Sequence, residues 1–498
     1  MTGPTNLSRR NACGLLAGLI ATAYARPATA QASRFDPETP FSWASLVQQA
    51  KALASRRYQD PPIARTVAAD FDAAGRLTYG DAERLADRIR LFPATNIAPH
   101  PVGIHIVQNG RARRVRDMAG LFASGGLAEP AGFRILSQSL KSDWLAFLGA
   151  SYFRASGSTG QYGLSARAIA VDTGLQRPEE FPRFTDFWIE AVAEGRFRIH
   201  ALLDGPSLAG AFSFDCRVDA TGVHQDVHSV LFIRQNIERL GIAPATSMFW
   251  YDEGQRNLAT DWRPEIHDSD GLAIVSGNGE RIWRPLANPA HARVNSFAMK
   301  DLKGFGLLQR DQRFENYQDD GAFYDRRPNL WMEPVGAWGP GSVLLYQMPT
   351  NSETADNIVA FWVGDRPARA GEQREFRYTL HWTSDDRSDG GVARAVNRWT
   401  GTAGTAGAPP IQGARKYVID FAGDGLAGLD RQSGVEAMVN LAPPALMSLS
   451  VYPIVGQKNH WRVVLDVRLD QAQGKELRLY LRRGSSALSE TVIESIAP

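Results

Sequence analysis

Cysteine is almost missing: the 498-residue chain has two, Cys13 and Cys216. Cys13 falls in a segment read below as a removable leader, so no intramolecular disulfide is expected and stability must come from a large core. A surplus of either charge is missing too. Lys and Arg number 55 against 53 Asp and Glu, and no nucleic acid or other polyanion is implied as a partner. Beyond the N-terminal leader no apolar run is long enough to span a membrane. The chain also lacks a phosphate-binding loop ending in Gly-Lys-Ser/Thr, a dinucleotide fingerprint, His-Glu-x-x-His and paired Cys-x-x-Cys. Gly149-Ala150-Ser151-Tyr152-Phe153 begins like a nucleophile elbow but does not complete one. Nucleotide, zinc and serine-hydrolase chemistry thus start without carriers, and neither a cofactor nor a metal is expected.

The N-terminus carries Ser8-Arg9-Arg10-Asn11, then an apolar run from Ala12 to Ala25, with no acid before Asp36. Two small-x-small options follow, Ala28-Thr29-Ala30 and Ala30-Gln31-Ala32. This order predicts a twin-arginine signal over residues 1–32, cleaved after export of the folded protein to the periplasm. A buried N-terminal helix is the plainer alternative. Removing 32 of 498 residues leaves 466, and losing Arg9, Arg10 and Arg26 takes the formal charge from +2 to −1. The mild basicity therefore belongs to the leader, and the remainder is expected to have no membrane span.

Residues 41–57 place Phe41, Val47, Ala50 and Leu53 at helical spacing, and 79–91 suggest a second short helix. After about residue 100 the texture becomes short apolar or alternating runs broken by Gly, Pro, Asn and Asp, which predicts an all-β sandwich. Gly277-Asn278-Gly279 between two β-prone runs predicts a hairpin. Residues 386–412, rich in Gly, Ala, Thr and Pro, read as a linker or cleft-covering loop. Five strand-like runs follow within 413–498, enough for an immunoglobulin-like sandwich, which leaves 33–385 as the larger domain.

Acidic residues near turns and abundant aromatic residues suit carbohydrate chemistry: carboxylates for acid–base work and rings for the apolar faces of sugars. Ordered strings sharpen this. They include Phe147–Arg154, Tyr162–Arg167, Glu179–Pro182, Thr246–Phe249, Arg263-Pro-Glu-Ile-His-Asp-Ser-Asp-Gly-Leu272, Gly304–Arg310, Trp331–Pro334 and Asp356-Asn-Ile-Val-Ala-Phe-Trp362. On these strings the chain resembles the osmoregulated periplasmic glucan biosynthesis G/D family, and its twin-arginine leader looks more like the D branch. The resemblance implies a galactose-mutarotase-like N-terminal β-sandwich followed by an immunoglobulin-like domain. It also implies action on β-1,2-linked glucan, by anomer-inverting endo-hydrolysis or by transglycosylation. The family's general acid falls on Asp356 and its general base on Asp268. Residues 92–106 look shorter than the family's region, and Tyr346-Gln347-Met348 departs from its usual run, so chain-length preference is left open.

The residues bear on these roles independently. Ile358 to Val363 is apolar on both faces, which predicts a buried strand with Asp356 at its mouth. Such a carboxyl can hold its proton to higher pH. Asp268 precedes the predicted hairpin strand at Leu272–Ser276. Inversion needs an acid at the leaving oxygen and a base that activates the nucleophile from the opposite side. The bland alternative for each is a turn or capping aspartate, and for residues 267–270 a cation site. Trp331, Trp338 and Tyr324 are candidates to stack on glucose rings, and Arg326 and Arg327 to donate to hydroxyls, although most of the 12 tryptophans must be core. Arg263 and Arg310 read equally as ligands or ion-pair partners. Trp399 is expected in a loop covering the cleft, with a homodimer partner as one source of that cover. The alternative function is a non-catalytic glucan-binding or scaffold protein for glucan export or branching.

Overall fold

The computed structural model describes residues 34–64, 84–96, 98–122, 128–405, 407–472 and 474–496. The expected signal segment lies outside these. Residues 43–54 form the predicted helix, Trp43–Ala54, closed at its start by a reciprocal Ser42–Ser45 capping box. Leu46 and Ala50 press it onto the face of the large sheet. The second predicted helix does not appear in the described part of 79–91, because Ile89–Pro93 alternates buried and half-buried residues as a strand.

The chain is all-β, as expected. Two sheets dominate the described residues, one of 16 strands and one of 10. The larger is built on an antiparallel run through Arg183–Ala193, Arg196–Asp204, Leu208–Asp219 and Gly222–Ile233. It continues through Gln373–Thr383, Asn329–Pro334, Leu302–Leu308, Gly271–Ser276 and Arg281–Pro285. The smaller sheet runs from Arg293–Met299 through Gly341–Gln347, Ile358–Gly364 and Leu240–Ser247 toward Pro130–Leu136 and Ile89–Pro93. Between them lies an aromatic core in which Phe147 stacks on Phe133 and Phe153 and meets Phe187 and Phe214 edge-on, with centroids 5.0–6.0 Å apart. Cys216 is buried and free within this core, and burial pushes its thiol up to about 12. It is therefore an inert packing group.

The hairpin predicted around Gly277-Asn278-Gly279 is present: Gly271–Ser276 pairs with Arg281–Pro285. The reading of 386–412 as a linker is corrected. Arg394–Thr402 is an edge strand paired along its length with Ala414–Ala422. A bulge between Ala395 and Asn397 breaks its alternation, which hides it from a period-two reading. That strand, Ala414–Ala422, His460–Arg468 and Leu446–Pro453 form a four-stranded sheet. It packs on Val435–Val439, Glu476–Arg483 and Thr491–Ser495 around Phe421, Trp461, Leu465 and Leu479. The second sandwich is not merely tethered. Thr491 and Val492 pair in parallel with Ile282 and Trp283, so its inner sheet extends the 16-stranded sheet of the first.

Side chains reinforce that junction. Arg398 donates to Asp252 Oδ2 at 2.5 Å, to Glu494 Oε2 at 3.0 Å and to the Leu286 carbonyl at 2.9 Å. Arg310 lies 3.6 Å over the Trp283 ring and pairs with Asp386 and Glu490. Asp252, Trp283, Arg310, Asp386 and Arg398 border a cavity of about 680 Å³ between the sandwiches that neither Asp268 nor Asp356 lines.

Candidate active site

Asp356 stands where the buried strand Ile358–Gly364 leaves the polar loop. Its neighbour explains the position. The Asn357 amide takes the place of ladder pairing where the sheet opens: Oδ1 accepts from Phe249 N at 2.8 Å, and Nδ2 donates to the carbonyls of Phe249 at 3.0 Å and Met348 at 2.9 Å. Asn357→Leu therefore leaves the Phe249 backbone groups unpaired and should cost about 3 kcal/mol by chemical denaturation.

The Asp356 carboxylate accepts from the Tyr152 hydroxyl and from Thr246 Oγ1 at 3.3 Å, and Tyr152 and Thr246 lie 3.0 Å apart. Thr246 is aimed by an irregularity between Ile242 and Ala245, where Ala243 takes φ +51°. Asp356 as a residue is exposed, but the protein packed around its carboxyl limits hydration there, and this desolvation raises its pKa to about 6. No cation accounts for any part of that shift.

Asp268 is tied to the same stretch of chain. Its N–H donates to Met248 O at 2.8 Å, two residues beyond Thr246, and Ser269 meets Ser247 at 2.6 Å. The Asp268 carboxylate is 5% exposed by residue and pairs with Arg327. Arg327 lies 3.9 Å over the Tyr324 ring, and burial pulls its guanidinium down to about 10. Tyr324 donates to Glu353 Oε2 at 2.9 Å, and Glu353 also accepts from Arg263 at 2.8 Å. Residues 246–249 thus join the two carboxylates' surroundings, and Arg327, Tyr324 and Glu353 form a second connection back to the loop that bears Asp356.

The other predicted contacts separate. Trp331 is 2% exposed, spent on the core between the sandwiches, and its Nε1 donates to Glu333. Tyr324 is also 2% exposed and supports Arg327 rather than offering a free face. Trp338 packs edge-on against Trp362, Phe376 and Tyr378. None of these three rings stands ready to stack on a sugar. Arg326 is exposed, 3.6 Å from Asp325 and 4.9 Å over the Phe323 ring, whereas Arg327 is committed to Asp268. Trp399 lies on the Arg394–Thr402 edge strand, 37% exposed under Arg462, and not in a loop over the cleft. Arg263 and Arg310 are ion-pair partners.

The cluster around His267 is separate again. Its Nε2 lies 3.0 Å from Glu265 and its Nδ1 3.1 Å from Gln309. Burial opposes the imidazolium, but Glu265 and Asp270 outweigh it and raise His267 to about 9. Asp270 itself accepts from the N–H groups of Arg310 and Asp311. His267 lies 3.7 Å from Asp270, whereas Asp268 turns to Arg327 and Ser269 to Ser247, and among the described residues no group of three or more His, Cys, Asp or Glu is arranged to hold a metal. Among the same residues no helix is long and apolar enough to cross a membrane.

Sequence reasoning missed Tyr152, Thr246 and Asn357 as parts of this site. Tyr152 and Thr246 lay within the resembling strings, but nothing in their local pattern shows which side chain faces Asp356.

Comparison with known proteins gives a consistent picture. Glucans biosynthesis protein D 2 of Ralstonia nicotianae is 40% identical over 491 residues, covering 92% of this chain and 91% of that one. The probable glucans biosynthesis protein D of Shewanella oneidensis is 42% identical, covering 81% and 77%. Glucans biosynthesis protein D of Stenotrophomonas maltophilia is 38% identical, covering 97% and 95%. Among solved structures, a galactose mutarotase related enzyme from Lactobacillus acidophilus matches 57% of this chain and 98% of its own at 8% identity. Its TM-score is 0.23, too low to carry an argument. Residues 41–496 match the family described as "Periplasmic glucan biosynthesis protein, MdoG", and the chain belongs to that family.

Proposed function

We propose that this protein acts in the periplasm on the β-1,2-glucan backbone of osmoregulated glucans, as an anomer-inverting endo-glucanase or a related transglycosylase. Asp356 protonates the leaving glycosidic oxygen and Asp268 draws the proton from the nucleophile. When the nucleophile is water, a shorter glucan with inverted configuration results; when it is a sugar hydroxyl, a transferred or cyclised glucan results. The observation that carries this reading is the contrast between the two carboxyls. Asp356 has only hydroxyl partners and a pKa raised to about 6 by burial, whereas Asp268 is paired with a guanidinium. Two acids in opposed surroundings are what acid–base division of labour requires. Export is assigned to the Arg9-Arg10 leader, and replacement of both arginines by lysine should leave the protein in the cytoplasm.

The direct test is incubation with linear β-1,2-glucan, read for new reducing ends, ring products and anomeric configuration by NMR. Inverted products are expected, and retention of configuration would overturn the mechanism. A scaffold that binds glucan without turning it over is the second reading, favoured by the engagement of Asp268 with Arg327. It predicts binding and no products.

A further inference from the structure

We propose that Trp262 is a sugar-stacking platform at the rim of the candidate site, holding a glucose ring remote from the bond that reacts. This rests on the reading of glucan as substrate. Of the 12 tryptophans, Trp262 is the most exposed, at 66%. No ring or cation among the described residues is recorded against it, whereas Trp338 and Trp399 both have such partners.

The segment that carries it is firmly held. Asp261 Oδ1 accepts from Arg263 N at 2.9 Å, so the chain turns at Trp262, and Asp261 Oδ2 accepts from the Arg263 side chain at 2.6 Å. Tyr251 donates to the Arg263 carbonyl at 3.2 Å. Arg263 then reaches Asp319 at 2.9 Å and Glu353 at 2.8 Å. The backbone on either side of Trp262 is thus tied to the loop that ends in Asp356 and, through Glu353 and Tyr324, to the support of Arg327 and Asp268.

Exposing an indole forgoes apolar burial, and a held backbone means that little ordering of the segment remains to be lost when a ligand arrives. A flat ring flanked by Asp261 and Arg263 suits a pyranose, which presents C–H groups to the ring and hydroxyls to the charged groups. The same charged flanks interrupt any apolar patch large enough for a protein interface.

The test uses Asp356→Asn protein, with and without Trp262→Ala, titrated calorimetrically with long linear β-1,2-glucan and with its trisaccharide. Loss of the indole should weaken long-chain binding about tenfold and leave the trisaccharide unchanged, with Trp262→Phe recovering most of the loss. Thermal unfolding should not move, because the ring packs on little. Long-chain affinity within twofold of the parent overturns the platform while leaving the glucan reading intact. Failure of the Asp356→Asn parent to bind the glucan overturns both.

Discussion

Replacing Asp356 by Asn should lower glucan turnover by about 1000-fold while binding persists, the size expected when a general acid is removed. The pH profile supplies the sharper check. With the carboxyl at about 6, the protonated form dominates below that value, and turnover should fall about tenfold per pH unit above it. Asp356→Asn should lose this limb altogether. The stability effect has the opposite sense. The folded-state pKa lies above the ordinary 3.8, so its contribution is fully present below pH 3.8 and lost as pH rises through 6. The Asn variant should therefore be more resistant to urea than wild type at pH 8 and no different at pH 3.5. A variant that loses turnover together with stability at pH 8 would show that Asp356 holds the fold together instead. Asp268→Asn should match it in lost turnover and spare the limb near pH 6.

The largest stability loss is expected at Arg398. Its guanidinium answers Asp252 and Glu494 at once, and Arg398→Met leaves buried Asp252 without a cation and buried Glu494 with only Arg284, 4.0 Å away. Breaking such a buried pair from one side costs about 3–5 kcal/mol. The nearby Glu253 is already raised to about 8, by burial first and then by Asp252 and Glu265. Arg398 holds that value down, so without it Glu253 binds its proton more tightly still, and the deficit should grow as pH rises past 8. Urea titration at pH 7 and pH 9 measures it. Arg431→Met, at an exposed guanidinium beside Tyr452, should stay within about 0.5 kcal/mol as a control. Equal losses in the two variants would deny Arg398 its place in joining the sandwiches.

What could be read before folding was the class of each stretch and the residues most exposed to chemical constraint. The run Ile358 to Val363 announced a buried strand by its unbroken apolarity, and that fixed Asp356 at a strand mouth. Gly277-Asn278-Gly279 announced its hairpin by turn chemistry. Ring assignments failed for a different reason. Trp331 and Tyr324 differ from a sugar platform only in what covers them, and the cover comes from chain far away in sequence. Trp262 is not marked out in the sequence, because one indole looks like any other in a linear string. The edge strand around Trp399 was hidden by its bulge and by the Gly-rich residues that follow. Distances between carboxylates and hydroxyls likewise depend on sheet register, as the meeting of Tyr152, Thr246 and Asp356 across three strands illustrates.

The parallel pairing of Thr491 and Val492 with Ile282 and Trp283 has a consequence for how the chain can be made. Those partners are separated by about 200 residues of synthesis, and contacts so distant in sequence form slowly. Until the ribosome has released residue 492, the Arg281–Pro285 strand presents a bare ladder edge open to any neighbouring chain. A nascent molecule therefore stays vulnerable to aggregation until residue 492 has been made, and stalling or truncation anywhere between residues 285 and 490 should yield inclusion bodies rather than a shortened soluble sandwich.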